Sequence, residues 1–298
     1  MNKATPPYRG RFAPSPSGPL HFGSLVAALG SYLEACSHQG EWLLRMEDID
    51  PPREKKGAAD DILKTLECFG FEWADDVLYQ SSRCEAYHEA LSQLVSAQRV
   101  YACKCSRKEV AMAGLQGVDG PLYSGFCRGT PPFGRWKAAL RLHTEESLIR
   151  FKDSVFGVHH QNIASDVGDF VIKRVDGVFA YQLAVVVDDA YQGITHVVRG
   201  ADLLHSTPRQ IYLQQLLDFT TPHYTHLPLV LNEQGEKLSK QAGDLPVGRR
   251  DPLPTLIAAL KFLNQPLPIE RPDTLADFWC WAIRHWDREH ISSGTSKN

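Results

Sequence analysis

Apolar residues in the first hundred positions alternate between short continuous runs and helical spacing. The short runs at 8–13 and 42–47 predict strands, and apolar positions three and four apart predict helices over 20–38, 58–69 and 83–98. Strands that alternate with helices and glycine-rich turns favour a doubly wound, Rossmann-type parallel sheet of the α/β class. In such a sheet the ligand lies at the carboxyl ends of the strands. We assign residues 1–100 to the first half of this catalytic domain.

The pattern changes over residues 101–165, which we interpret as an insertion. Prolines, glycines and aromatic residues cluster in 120–135, and the strand-like runs at 138–142 and 148–152 have no long helix between them.

Residues 166–248 are expected to complete the main sheet. The predicted elements are two strands that return to that sheet, an amphipathic helix and a further strand, at 170–174, 179–187, 207–219 and 227–231. Residues 249–298 form a C-terminal helical segment and tail, with helices predicted at 255–264 and 275–286.

Composition narrows the possible partners. A chain of 298 residues with 43% hydrophobic content can bury a substantial core. Its formal net charge of −3 gives no general attraction to nucleic acid, so RNA binding requires a local basic face. Arg107-Lys108 and Arg249-Arg250 are candidates for that face, and an ordinary solvated surface is the alternative.

The sequence carries no membrane or secretion signal that we recognise. No apolar run approaches the ~20 residues that span a bilayer, and residues 1–8 lack an apolar signal-peptide core. Seven cysteines, an odd number at uneven spacing, argue against a disulfide scaffold. We therefore expect a cytoplasmic protein that makes no membrane contact.

Two separated segments carry the strongest chemical signal. The first runs Arg11-Phe12-Ala13-Pro14-Ser15-Pro16-Ser17-Gly18-Pro19-Leu20-His21-Phe22-Gly23-Ser24. It predicts a tight loop that opens a helix, where free backbone amides and a histidine suit a phosphate. The second is Lys237-Leu238-Ser239-Lys240, in which two compact positive charges suit diffuse phosphate charge. By itself this lysine segment is typical of a solvated turn.

Together, the two segments resemble the signature motifs of class I aminoacyl-tRNA synthetases, in the glutamyl and glutaminyl branch. Arg45-Met46-Glu47-Asp48-Ile49-Asp50 is similar to the Arg-Ile-Glu-Asp-Thr-Asp of glutamyl enzymes. The resemblance continues through 187–189, 193–200 and 207–210, and covers residues 8 to 245. About fifty residues follow the lysine segment, where a glutamyl-tRNA synthetase continues into an anticodon-binding domain. That length resembles the glutamyl-queuosine tRNA(Asp) synthetases, a paralogous branch without this domain.

The resemblance implies an activity and its partners. The enzyme would activate L-glutamate with ATP and Mg²⁺ to form glutamyl-adenylate. It would then transfer glutamate to queuosine at the wobble position of tRNA(Asp), without charging the 3′ end. We expect a monomer. Two alternatives remain: a small glutamyl-tRNA synthetase that charges the 3′ end, and an inactive synthetase-like binding module.

The resemblance also implies site residues. ATP would be bound by His21, Gly23, Ser24, Lys237, Leu238, Ser239 and Lys240, of which His21, Lys237 and Lys240 would be catalytic. Glutamate would be bound by Arg11, Phe12, Ala13, Pro14, Ser15, Glu47, Tyr181 and Arg199. An arginine fork is the expected partner of a carboxylate, and Glu47 would face the substrate ammonium. The alternative role of Glu47 is an ion pair with Arg45 or Arg53.

The insertion carries a candidate zinc site. Cys103 and Cys105 at C-x-C spacing, with Cys127 across a loop, can bind one tetrahedral Zn²⁺, although three cysteines alone leave this open. The resemblance implies Tyr123 as the fourth ligand of a single structural zinc. Asp48 and Asp50 are expected to fix loop structure by holding Arg53 or a backbone amide, and not to bind metal.

The chain departs from glutamyl-tRNA synthetases at three places. Gln241-Ala242-Gly243 follows the lysine segment in place of Arg-His-Gly. Val185 stands in a run before Asp188-Asp189 that usually contains an asparagine. Residues 201–206 replace a more polar run, and the effect of this change on binding of the substrate α-carboxylate is open.

Overall fold

The computed structural model describes residues 7–118, 120–134, 137–231 and 246–293. Within them the strands are β1 (Arg9–Phe12), β2 (Glu41–Met46), β3 (Ala74–Tyr79), β4 (Val100–Cys103), β5 (Gln116–Gly117), β6 (Gly120–Pro121), β7 (Ala139–Leu142), β8 (Leu148–Asp153), β9 (Gly157–Asn162), β10 (Val171–Lys173), β11 (His196–Gly200) and β12 (His223–Leu227). The α-helices are α1 (Phe22–Ser37), α2 (Ala58–Cys68), α3 (Cys84–Ser96), α4 (Arg107–Met112), α5 (Tyr181–Tyr191), α6 (Thr207–Leu216), α7 (Pro252–Phe262) and α8 (Leu275–His285).

Parallel strands form the centre of the fold, as predicted. β1, β2 and β3 pair in parallel, and β11, β12 and β8 form a second parallel set whose outer neighbour β9 is antiparallel to β8. Thr195 connects the two sets: its amide donates to the Arg9 carbonyl (3.0 Å), and its carbonyl accepts from the His223 amide (2.8 Å). The strand order therefore reverses between β1 and β11, which is where an open α/β sheet binds its ligand.

Two predictions about the second half are wrong. Residues 170–174 contain strand β10, but it pairs in antiparallel fashion with β7 in a separate three-stranded sheet, β10-β7-β4. Residues 179–187 lie largely in helix α5 instead of a strand. Every residue from 183 to 189 is buried, so this helix has no polar face. Its sequence therefore shows a continuous, β-branched apolar run, which is the pattern of a buried strand.

The predicted strand at 227–231 lies four residues earlier, at β12. Tyr224, Thr225 and His226 in this strand are polar yet buried. The Tyr224 hydroxyl accepts from Gln214 (3.0 Å) and the His226 ring forms the hydrogen bonds described below, so both can be buried although they interrupt the apolar pattern of the strand. Leu227 and Val230, which suggested the later position, pack into the core.

Helix α1 lies at the centre of the larger hydrophobic core. It packs on β1, and the predicted C-terminal helices, which the structure places at α7 and α8, pack against α1. Leu29, Leu33, Leu256, Leu260 and Phe278 are fully or almost fully buried in this core. The helix that begins at the motif loop is thus held on several sides.

None of the helices in the described ranges combines the length and apolar character needed to cross a bilayer.

Candidate functional site

The motif loop ends at the start of α1, where His21 is the N-cap residue. The His21 imidazole accepts a hydrogen bond from the Ser24 amide (3.3 Å) and contacts the Ser24 hydroxyl (3.0 Å). A Cβ atom on Gly23 would lie 3.3 Å from the imidazole Cε1, so glycine leaves room for the ring. The positive end of a sixteen-residue helix and an imidazole together suit an anion.

Lys237, Leu238, Ser239 and Lys240 lie outside the described residues. Pro246, the first described residue after 232–245, forms an antiparallel bridge with His21, and the Val247 amide donates to the Leu20 carbonyl (3.0 Å). Residues 246 and 247 therefore lie beside the motif loop.

Charged side chains cluster at the carboxyl ends of the parallel strands. Arg11, Arg45, Arg199 and His226 are each the penultimate residue of their strand, in β1, β2, β11 and β12 respectively. Glu47 follows β2 directly. The sheet therefore brings together groups that lie more than two hundred residues apart in sequence.

Asp189 joins two buried arginines. Its Oδ1 lies 3.1 Å from the Nε of Arg11 and 2.8 Å from the Nη2 of Arg45, and the Nη1 of Arg45 donates to Gln192 (2.8 Å). Burial alone would raise the pKa of Asp189, but Arg11 and Arg45 outweigh it and hold the pKa below its usual value. The carboxylate thus stays ionised and fixes both guanidinium groups.

Glu47 is buried with incomplete charge compensation. Its Oε1 lies 3.7 Å from the Nη2 of Arg45, farther than the oxygen of Asp189. Burial raises the pKa of Glu47 to about 7, although Arg45 and Arg11 lower it. The expected ion pair with Arg45 therefore exists, but Asp189 is the nearer partner of Arg45.

Tyr181 is the first residue of α5 and faces the same charges. Burial raises the pKa of Tyr181; among the charges that act on it, Glu47 raises this pKa while Arg199 and Arg11 lower it. Tyr181 therefore lies within electrostatic range of Glu47, Arg199 and Arg11. Arg11, Glu47, Tyr181 and Arg199, which the sequence assigned to one substrate, thus share one region.

Arg199 is held on two of its three nitrogens. Its Nε donates to the Nε2 of His226 (3.1 Å), and its Nη2 donates to the Thr207 hydroxyl (2.9 Å) and the Leu203 carbonyl (3.3 Å). Its Nη1 is buried and has no hydrogen-bond partner among the described residues. Leu203 belongs to the divergent run 201–206, a 3₁₀ helix that therefore helps to hold Arg199.

The remaining motif residues line the same end of the sheet. Phe12 ends β1 and is buried, whereas Ser15 in the loop that follows is exposed. The Pro14 carbonyl accepts from the Glu47 amide (3.0 Å), which fastens the loop containing Ala13 to the end of β2.

The sequence predicted that Asp48 and Asp50 hold Arg53 or a backbone amide; this is confirmed for Asp48 and wrong for the side chain of Asp50. Asp48 accepts from the Ser81 amide (2.8 Å) and hydroxyl (2.6 Å). Asp50 accepts from Arg174 (2.8 Å), where Arg53 had been expected.

Sequence reasoning assigned no role to Asp189 or to His226, the partner of Arg199, and considered Arg45 only as an alternative ion-pair partner of Glu47. A signal was present, because Arg45 and Asp189 are charges inside otherwise apolar runs. A charge in a run that will be buried needs a buried partner of opposite sign.

The cysteine cluster forms a separate candidate metal site. The sulfurs of Cys103, Cys105 and Cys127 lie within 4.8 Å of one another, with 3.6 Å between Cys105 and Cys127. The Tyr123 hydroxyl lies 3.5 Å from the Cys105 sulfur and accepts from the Cys127 amide (2.8 Å). Sulfur ligands of tetrahedral zinc lie about 3.8 Å apart, given a Zn–S distance of about 2.3 Å. The donor set and its spacing therefore fit a single zinc ion.

Comparisons with known proteins show the family and the fold of the chain. The family described as tRNA synthetases class I (E and Q), catalytic domain, matches residues 8–251. A glutamyl-Q tRNA(Asp) synthetase of Dechloromonas aromatica is 56% identical over 284 residues, which cover 94% of this chain and 94% of that protein. One of Chromobacterium violaceum is 52% identical over 287 residues, covering 96% of each.

Among solved structures, a glutamate-tRNA synthetase from Elizabethkingia anophelis matches with a TM-score of 0.82 at 23% identity. The match covers 98% of this chain and 68% of that one. At this identity the likeness shows a shared fold.

Proposed function

The chain belongs to the glutamyl-Q tRNA(Asp) synthetase family of class I tRNA synthetases, and we propose that it joins L-glutamate, activated by ATP, to queuosine in tRNA(Asp). It is therefore a ligase of the aminoacyl-tRNA synthetase type. In the proposed first step, the glutamate carboxylate attacks the α-phosphorus of ATP, giving glutamyl-adenylate and pyrophosphate. In the second, a queuosine hydroxyl attacks the activated carbonyl and releases AMP.

One observation carries the proposal for glutamate: two buried arginines and one buried glutamate lie together at the carboxyl ends of the parallel strands. Arg11 and the free Nη1 of Arg199 offer donors to carboxylates, and Glu47 offers a carboxylate to the ammonium group. Such charge-assisted bonds are the strong ones in a buried site. A zwitterionic amino acid with an acidic side chain complements this set.

For ATP, we propose that His21 and the start of α1, at Gly23 and Ser24, hold phosphate, with Lys237 and Lys240 as its cationic partners. Helix N-termini and cations stabilise charge that develops on transferring phosphates. Bound Mg²⁺ would supply further neutralisation of phosphate charge. For the acceptor, the names of the relatives support queuosine in tRNA(Asp).

Exchange of pyrophosphate into ATP tests the first step. We expect glutamate-dependent exchange by the protein with Mg²⁺ and without tRNA, because the acceptor nucleoside takes no part in adenylate formation. His21→Ala and Lys240→Ala should each lower the rate on the order of 10²-fold or more, since each removes charge stabilisation from the transition state. His160→Ala, an exposed histidine on β9, is the matched control. Exchange that appears only with tRNA, or equally with glutamine, contradicts the proposal.

The activity should depend on pH through Glu47. Only the ionised carboxylate attracts the substrate ammonium, and the pKa of Glu47 is raised to about 7. Below that pH the ionised fraction falls about tenfold per unit, so kcat/KM for glutamate in exchange should fall with the same slope. Saturating glutamate should flatten the profile, because the bound ammonium stabilises the carboxylate. Glu47→Gln should give a low, flat profile; an equally flat wild-type profile argues against this role.

We also propose that Cys103, Cys105, Cys127 and Tyr123 hold one structural zinc. Burial and the neighbouring thiols raise the pKa of Tyr123, so a phenolate at this position needs a cation beside it. The Arg141 guanidinium lies 4.1 Å from the centre of the Tyr123 ring and adds to the positive field. When bound, zinc would crosslink the two ends of the loop 103–127.

Metal analysis is expected to give about one zinc per chain. Cys103→Ser should then lower the melting temperature more than it lowers pyrophosphate exchange, because the cluster shares no residue with the phosphate or glutamate sites. Cys280→Ser, at an exposed cysteine on α8, is the control and should leave both unchanged. Metal-free protein whose stability does not respond to added zinc would contradict the assignment.

A further inference from the structure

A chain of hydrogen bonds runs behind Arg199 and ends in a buried carboxylate. The Nε of Arg199 donates to the Nε2 of His226 (3.1 Å), and the Nδ1 of His226 lies 2.6 Å from Asp153 Oδ2. His226 and Asp153 are at most 1% exposed. Neither residue is among the site residues assigned from the sequence.

The partners of the imidazole fix its protonation state. Since the Nε–H of Arg199 points at Nε2, that nitrogen must accept, and the proton of the neutral ring sits on Nδ1 facing Asp153. Burial lowers the pKa of His226 to about 4, more than Asp153 raises it. The ring therefore stays neutral near neutral pH and keeps an acceptor aimed at Arg199.

Asp153 is itself fixed by backbone donors. Its Oδ1 accepts from the amides of Val155 and Phe156 (2.9 Å each), and its Oδ2 is 3.1 Å from the His226 amide. The end of β8 thus orients the carboxylate, the carboxylate orients the ring, and the ring orients the guanidinium.

We propose that His226 is a positioning residue for glutamate, acting through Arg199. With Nε held by His226 and Nη2 held by Thr207 and Leu203, the planar guanidinium has one fixed direction for Nη1. Among the residues that the structure describes, that nitrogen has no hydrogen-bond partner, and a buried donor requires an acceptor. The inference rests on the proposed function, in which a glutamate carboxylate is that acceptor. The Thr207 hydroxyl, 3.3 Å from Nε2, is the other neighbour of this acceptor nitrogen.

Two substitutions of His226 distinguish the roles of its two ring nitrogens. In His226→Gln, the side-chain oxygen can occupy the place of Nε2 and still accept from Arg199, but the donor to Asp153 is lost. In His226→Asn, the amide can occupy the place of Nδ1 and still donate to Asp153, but nothing reaches Arg199. A structural role alone predicts comparable losses for both, since each breaks one buried bond.

In pyrophosphate exchange, we expect His226→Asn to raise the KM for glutamate about ten- to hundredfold, the range of a hydrogen bond to a charged group. The KM for ATP should stay within about twofold, and His226→Gln should restore most of the glutamate affinity. Equal glutamate KM values in the two variants, or parallel changes in both KM values, overturn the proposal.

A second readout does not depend on glutamate. In NMR spectra of the ligand-free protein, the Arg199 Nε–H should exchange slowly with solvent in wild type and His226→Gln, and quickly in His226→Asn. Fast exchange in wild type overturns the positioning role whatever the substrate. Slow exchange in a protein that does not activate glutamate supports the positioning of Arg199 and contradicts the proposed function instead.

Discussion

An anticodon stem-loop that carries queuosine should accept glutamate, and the same stem-loop with guanosine at the wobble position should not. The second step needs a hydroxyl that can attack an activated carbonyl, and the cyclopentene diol of queuosine offers vicinal hydroxyls like those of a ribose. Guanine has none. Single-stranded loops present their bases splayed out, so a wobble base can enter a pocket at modest cost. We expect a difference of at least about 10³-fold in initial rate, measured as radioactive glutamate retained on the RNA.

The control for this experiment removes the other diol. Whole tRNA(Asp) with queuosine and a 2′,3′-dideoxy terminal adenosine should accept as well as the unaltered tRNA, and nuclease digestion should place the label on the anticodon loop. If a tRNA that lacks queuosine becomes labelled, and the label is absent when the 3′-terminal hydroxyls are removed, the enzyme charges the 3′ end.

Much of the site could be predicted because its residues stand where local rules apply. A proline- and glycine-rich loop before small apolar residues predicts a helix start, and α1 begins at Phe22 with His21 as its cap. The thiols at 103, 105 and 127 were predicted to share one centre, and the structure brings them together. In both cases the signal lies within some twenty residues of sequence.

What could not be predicted depends on partners distant in sequence. Helix α5 is buried on all sides over residues 183–189, so its valines gave the pattern of a strand. β12 was predicted four residues too late because its buried positions include His226, which forms hydrogen bonds with its ring, and Tyr224, whose ring packs in the core while its hydroxyl accepts from Gln214. Polar residues at functional sites break the pattern that defines an element, and the partner that explains them is found only in three dimensions.

The largest loss of stability is expected from Asp189→Asn, which keeps the shape of the side chain and removes its charge. Arg11 and Arg45 are 3% and 0% exposed, and both meet the same Asp189 oxygen. A buried arginine has lost its interaction with water, and without a carboxylate beside it nothing compensates for that loss. Breaking such a buried pair lowers the free energy of unfolding by about 3–5 kcal/mol. Urea unfolding measures this directly. Asp251→Asn, at an exposed pair with Arg271, should change the free energy of unfolding by less than about 1 kcal/mol.

Glu47 should respond to the same substitution. The Asp189 charge raises the pKa of Glu47, so removing it should lower that pKa and shift the acid limb of glutamate activation to lower pH. In a double-mutant cycle, Arg45→Met added to Asp189→Asn should cost less than the sum of the single changes, because it removes one of the stranded charges. Additive losses, or a wild-type unfolding curve for Asp189→Asn, would mean that the two arginines are held by other means. A loss smaller than the sum would mean that Asp189 holds both arginines at the carboxyl ends of the strands. The same carboxylate would then also set the pKa of Glu47, the residue proposed to bind the substrate ammonium.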